Sequence, residues 1–185
     1  MRLVRPQRKL LGNAVYPWLL CGLLGPFVPA CAKGPAGAAN SAKSNGELDY
    51  AFGAIDGSLI NSADNRGRVT ILLFGASYDL VTQAVSRRLN ELWHSHTPRI
   101  NVALLLLEPP QNVEMVRAYR EMLSIDYPVG LASSGAGVAG GAFSPLQVIP
   151  TWIFLDKKGK LAAKGFGDLS LEVLERTLDD VESMR

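Results

Sequence analysis

The stretch IPTWIFLDKKGK, residues 149–160, decides the fold. Thr151 to Leu155 is an apolar run of strand length with no polar alternation, so a strand formed here must be covered on both faces. Asp156-Lys157-Lys158-Gly159 supplies turn chemistry, and Lys160 to Phe166 returns beside the first run as a hairpin. Trp152 and Phe154 alternate with Ile153 and Leu155, and all four are expected in a sheet core rather than around a ligand.

Working outward from this hairpin, the chain closes with a helix capped by Ser170, whose inner stripe is Leu171, Leu174, Leu178 and Val181. Upstream, VTILLF at residues 69–74 and INVALLLL at residues 100–107 read as buried central strands. Between them Val81, Val85, Leu89 and Leu92 recur at helical spacing through Trp93, with Arg87, Arg88 and Glu91 outward. After Glu108 and two prolines, Asn112 is expected to cap a second helix carrying Val113, Val116, Met122 and Leu123, followed by a short strand from Tyr127 to Leu131. Tyr50 to Ile55, the Asp56-Gly57 turn and Ser58 to Ile60 predict an edge hairpin at the amino-terminal side. Strands alternating with helices and ending in a hairpin plus helix predict an α/β domain, a mixed central sheet sandwiched between helices with an N-terminal β-hairpin extension.

This βαβα–ββα order, with Ile149-Pro150-Thr151 before the last hairpin, resembles the thioredoxin fold, in particular its exported, membrane-tethered TlpA-like branch. Three stretches carry the resemblance over residues 48–185: Asp56-Gly57 with Arg66-Gly67-Arg68-Val69; Phe74 to Tyr78 opening a helix; and residues 149–160. The resemblance implies a cis Ile149-Pro150 bond facing the site, and a groove that receives an extended peptide. It also implies a thiol-disulfide centre, an aromatic residue followed by Cys-x-x-Cys, at positions that here read Tyr78, Asp79, Leu80, Val81 and Thr82.

Thiol-disulfide exchange needs an attacking thiolate and a second sulfur to resolve the mixed disulfide, and peroxiredoxin chemistry also needs a thiolate. The chain's two cysteines are Cys21 and Cys31, so the domain has no thiol. Asp79 suits a helix N-terminus, where free N–H groups stabilise an anion; it is read foremost as a cap, with a catalytic carboxylate or a partner contact as alternatives. Thr82 is read as a first-turn hydroxyl, there being no base placed to activate it. No catalytic residue is therefore assigned. The candidate binding surface is Tyr78, Asp79, Thr82, Ile149 and Pro150, for a protein or peptide partner in the envelope. The alternative is an exported oxidoreductase or peroxiredoxin-like protein relying on Cys31 or on a partner's cysteines.

At the amino terminus, Arg2, Arg5, Arg8 and Lys9 precede an apolar stretch from Leu10 to Ala30, and Val28-Pro29-Ala30 leads into Cys31. This reads as an export signal of lipoprotein type over residues 1–30, with Cys31 as the lipidation site; a simple cleaved signal and an uncleaved anchor share its topology. Leu20 is too large for a lipobox before Cys21, which reads as a buried hydrophobe of the signal. Residues 31–47 carry no large apolar side chain and read as a tether, with 48–185 as the domain. The expected place is the bacterial envelope, a periplasm-facing lipoprotein of the outer membrane if the host has one, since Ala32 replaces the aspartate that retains some lipoproteins in the inner membrane.

The net charge of +2 falls to −2 without residues 1–30, which leaves no basic stripe for nucleic acid. His94 and His96 do not share a helix face, and no further donors cluster near them, so no metal is expected. Gly135 to Gly140 matches the letters of a dinucleotide fingerprint, but too few residues separate it from Pro150 for the helix such a site needs; no cofactor is expected.

Overall fold

The computed structural model describes residues 46–132, 143–144 and 146–184. The readings of Cys21, Cys31, the signal, most of the tether and the Gly-rich stretch 133–142 lie outside the described residues. Within them run β1 (Ala51–Ala54), β2 (Leu59–Asn61), β3 (Val69–Gly75), α1 (Leu80–His96), β4 (Ile100–Leu106), α2 (Val113–Met122), β5 (Val129–Leu131), β6 (Thr151–Leu155), β7 (Leu161–Phe166) and α3 (Leu171–Ser183). A short 3-10 turn, Pro110–Asn112, precedes α2. The strands make one mixed sheet in the order β2-β1-β5-β4-β3-β6-β7.

β3 is the spine of this sheet. It pairs in parallel with β4, from Val69 opposite Ile100 to Gly75 opposite Leu106, and antiparallel with β6, from Thr70 opposite Leu155 to Phe74 opposite Thr151. Every residue of β3 and β6 is buried, as their unbroken apolar runs predict. Side chains divide by parity. Ile71, Leu73, Trp152 and Phe154 face one core with Val85, Leu89, Leu92, Val116, Leu174 and Leu178, whereas Leu72, Phe74, Ile153 and Leu155 face a second core with Tyr50, Phe52 and Phe143. Both parallel crossovers, through α1 and through α2, step the same way across the sheet, so right-handedness puts both helices on one face. α3 packs on that face too. Among the described residues the other face is covered by an aromatic cluster, in which Phe143 lies 5.3 Å from Phe74 and 5.4 Å from Tyr50 between ring centroids.

The edge hairpin forms around Asp56-Gly57: Gly57 takes φ +88°, and Asp56 Oδ1 accepts from the Ser58 N–H at 2.9 Å and hydroxyl at 2.6 Å. The β6–β7 turn closes with the Gly159 N–H donating to Asp156 O at 2.9 Å. Ser170 Oγ accepts from the Val173 N–H, the expected cap.

Three element-level expectations need correction. Val81 is 37% exposed, and the inner stripe of α1 begins instead at buried Thr82. Met122 is 63% exposed, its expected inward position being taken by Tyr119, which is buried. Asn112 gives α2 no side-chain cap; its amide donates instead to Glu108 Oε2 at 3.0 Å. Glu47, read as the end of the tether, bridges to Lys160 and accepts from Arg66 at 3.1 Å. No helix among the described residues is long and apolar enough to cross a membrane.

Candidate functional site

At the carboxy-terminal end of β3 the chain must turn from sheet to helix within Ala76, Ser77 and Tyr78 before Asp79 caps α1. Asp79 is in extended backbone, φ −88° and ψ 120°, and its Oδ2 accepts from the Thr82 N–H at 2.7 Å and from the Thr82 hydroxyl at 2.6 Å. The expected cap is therefore present, with a second bond that only a hydroxyl three residues on can add. Burial, the largest influence on this carboxyl, pushes its pKa up, but the bonds from the Thr82 hydroxyl and the Thr82 and Val81 N–H groups together outweigh it and hold the pKa below the usual carboxylate range. Asp79 stays an anion.

Thr82 is wholly buried. Its side chain lies against Gly75, where an added Cβ would stand 2.4 Å from Thr82 Cγ2 and 2.6 Å from Oγ1. The Ala76 N–H points at the same hydroxyl oxygen at 3.4 Å. A hydroxyl so enclosed, with its proton given to Asp79, is not available as a nucleophile. Polar contacts continue inward along α1: Ser86 Oγ donates to Thr82 O at 2.7 Å, and Tyr127 Oη donates to Ser86 O at 2.9 Å. Burial pushes the Tyr127 hydroxyl pKa far above its ordinary value, so it acts here as a neutral donor.

A second fastening, absent from the sequence reading, holds the turn. Glu108, buried just after β4, accepts from Ser77 Oγ at 2.5 Å and from Asn112 Nδ2 at 3.0 Å, and so ties the β3–α1 turn to the turn before α2. The only signal in the sequence was a charged residue directly after an apolar strand.

Pro150 is buried and its bond to half-buried Ile149 is cis, as the resemblance implies. Since Phe74 pairs with Thr151, the register brings Pro150 level with Gly75, at the sheet end from which Tyr78 and Asp79 emerge. The Gly167 N–H donates to Pro150 O at 2.9 Å. Around this end several large apolar side chains are exposed: Tyr78 (78%), Leu80 (76%), Val148 (50%) and Phe166 (51%). Of the predicted surface residues, then, Tyr78 is outermost, Asp79 and Ile149 are half-buried, and Thr82 and Pro150 lie beneath. Leu80, Val148 and Phe166 were not foreseen, because a lone apolar residue in a sequence does not say whether it is covered.

His94 and His96 diverge: His94 Nε2 meets Asp126 Oδ2 at 2.8 Å, while His96 Nδ1 lies 3.0 Å from Leu92 O. No metal-binding group of acidic, histidine or cysteine side chains occurs among the described residues.

The strand order, the helix opened at residue 79 and the cis proline at the start of β6 agree with solved structures of one architecture. The chain has the thioredoxin fold. It superposes on a thiol:disulfide interchange protein of the thioredoxin family from Chlorobium tepidum with a TM-score of 0.62, at 17% identity, over 78% of this chain and 97% of that one. An exposed lipoprotein thioredoxin from Streptococcus pneumoniae gives 0.62 at 20% identity, over 71% and 98%. A secreted disulfide oxidoreductase from Mycobacterium tuberculosis gives 0.58 at 13%, over 71% and 96%. No protein-family model and no curated protein matches the sequence. At these identities the likeness concerns the thioredoxin fold itself; what stands at residues 79 and 82 is this chain's own.

Proposed function

We propose that this chain is an exported, membrane-tethered thioredoxin-fold protein that works by binding a protein or peptide rather than by thiol exchange, through the surface around Tyr78, Asp79, Thr82, Ile149 and Pro150. The observation that carries the reading is the filling of the site: where the resemblance puts two sulfurs, Asp79 and Thr82 form a closed hydrogen-bonded pair, with exposed Tyr78 and Leu80 on either side of Asp79 in the chain and exposed Val148 two residues before Pro150. Large exposed apolar side chains gathered in one place mark interaction surfaces.

Export and tethering rest on the basic and apolar order of residues 1–30 and on Cys31 as the lipid-bearing residue, with the outer membrane as destination where one exists. The secreted and exposed-lipoprotein descriptions of two fold neighbours support export. The reading includes no cofactor, metal or nucleic acid.

A photoreactive phenylalanine analogue at Tyr78, compared with one at Thr177 on α3, tests the binding surface in the native envelope. A discrete adduct from position 78 that an excess of unmodified chain competes away supports the proposal; adducts of equal yield from both positions contradict it.

A second reading is an oxidoreductase that employs Cys31 or a partner's cysteines. It is favoured by neighbours described as a thiol:disulfide interchange protein and a disulfide oxidoreductase. A lipid on Cys31 removes its own-thiol form, because a thioether does not exchange.

A further inference from the structure

The end of the sheet opposite the candidate site carries a group of cations, exposed except for half-buried Lys160. Arg66 and Arg68 precede β3, and Lys157, Lys158 and Lys160 belong to the β6–β7 turn; the Gly67 N–H donates to Lys157 O at 2.8 Å, which binds the two segments together. Thr70 opposite Leu155 fixes this as the far end of the register from Phe74 and Thr151. Carboxylates on the neighbouring segments hold bonds within the domain: Asp49 accepts from Ser62 Oγ at 2.7 Å and Asp64 from Asn61 Nδ2 at 2.5 Å. Glu47 pairs with Arg66, Glu182 with Arg99 at 2.9 Å, and Asp156 Oδ1 accepts from the N–H groups of Lys158 and Lys160. Among the described residues Arg68, Lys157, Lys158 and Lys160 have no carboxylate partner: Lys157 Nζ donates to the Glu182 carbonyl and Arg68 to the Asn101 side chain. Asp179 and Asp180 stand about a turn back along α3.

The chain joins the domain at the same end. The Leu48 N–H donates to Gly159 O at 2.9 Å, and Glu47 bridges to Lys160. Cys31 lies only 16 residues before Glu47 in the chain, which at full extension spans no more than about 55 Å. An anchor at Cys31 therefore leaves the cationic end within reach of lipid headgroups.

From this charge and this point of attachment we infer that the Arg68, Lys157, Lys158 and Lys160 surface docks on an anionic lipid bilayer, turning the Tyr78–Pro150 end away from the membrane. The inference rests on the tethered reading. Each cation near an anionic leaflet adds an attraction of about 1 kcal/mol that fades within a Debye length, roughly 8 Å at physiological salt. The seven residues of β3, at about 3.3 Å each, then hold the binding end roughly 20 Å above the headgroups, open to large partners.

The test is lysine footprinting of the chain as isolated from its membrane, reconstituted on vesicles of phosphatidylcholine alone or with about 30% phosphatidylglycerol. Acetylation of Lys157, Lys158 and Lys160 is expected to slow at least about three-fold on the anionic vesicles, with exposed Lys164 as the internal control and recovery near 0.5 M salt. Equal rates on both vesicles overturn the inference. So does protection seen only in native membranes, which would indicate an acidic protein in place of lipid. Flotation and intact mass of the same sample test the tether separately. A chain without lipid on Cys31 that floats with anionic but not neutral vesicles refutes the anchor and supports docking; a lipidated chain with unprotected lysines does the reverse.

Discussion

Gly75 and Thr82 share a single packing solution, since the space a Cβ would need at residue 75 is occupied by the Thr82 methyl and hydroxyl. Gly75→Ala should therefore cost about 1–3 kcal/mol through overpacking, read as a lower urea midpoint at unchanged slope, and Thr82→Ser should recover part of that loss in the double variant but not alone. Asp79 allows a prediction with a sign. Its folded pKa lies below the unfolded value of about 3.9, so its ionised form adds stability that is fully present above that value and is lost as pH falls through the folded pKa. Urea midpoints taken from pH 6 to pH 3 should fall less steeply in Asp79→Asn than in the parent; identical slopes would mean that the carboxylate bonds to Thr82 add nothing. The cap at Asp79 was legible from residue type and position. Its second bond was not, because only the fold shows that Thr82 turns inward beneath Gly75.

At the scale of elements, strands were more legible than helix faces. The runs 69–74, 100–107 and 151–155 have no polar alternation, and burial on both sides is what such runs require. The face of α2 went astray because Tyr119 carries a hydroxyl that a hydropathy stripe discounts, yet it is buried with its Oη 3.4 Å from Ser86 Oγ, while Met122 turns outward. Caps divide in the same way. Ser170 and Asn112 are both residue types that cap helices, but Asn112 is recruited by buried Glu108. Ser170→Ala should accordingly cost about 1 kcal/mol in denaturant unfolding with the site turn undisturbed. Asn112→Ala should instead loosen the Ser77 turn, seen as faster amide exchange at Ser77 and Tyr78, with no fraying at the start of α2.

For the whole molecule, the thioredoxin order followed from the sequence because each local signal agreed with the one after it. That α1 and α2 share one face follows from strand order, which no single segment contains. Residues 79 and 82, where the resemblance implies the two sulfurs of a thiol-disulfide centre, are a carboxylate and a hydroxyl bonded to each other. The fold is intact around that substitution, so Asp79→Cys with Thr82→Cys, two residues that fit the same helix start, should form a reducible disulfide and acquire dithiol-dependent insulin reduction. The most direct measurement compares this double variant with the parent chain in that assay, with free thiols counted on both. The account predicts turnover by the variant and none by the parent, whose site contains no sulfur. Turnover by the parent above the uncatalysed rate would contradict it and return Cys31 to the centre of the chemistry.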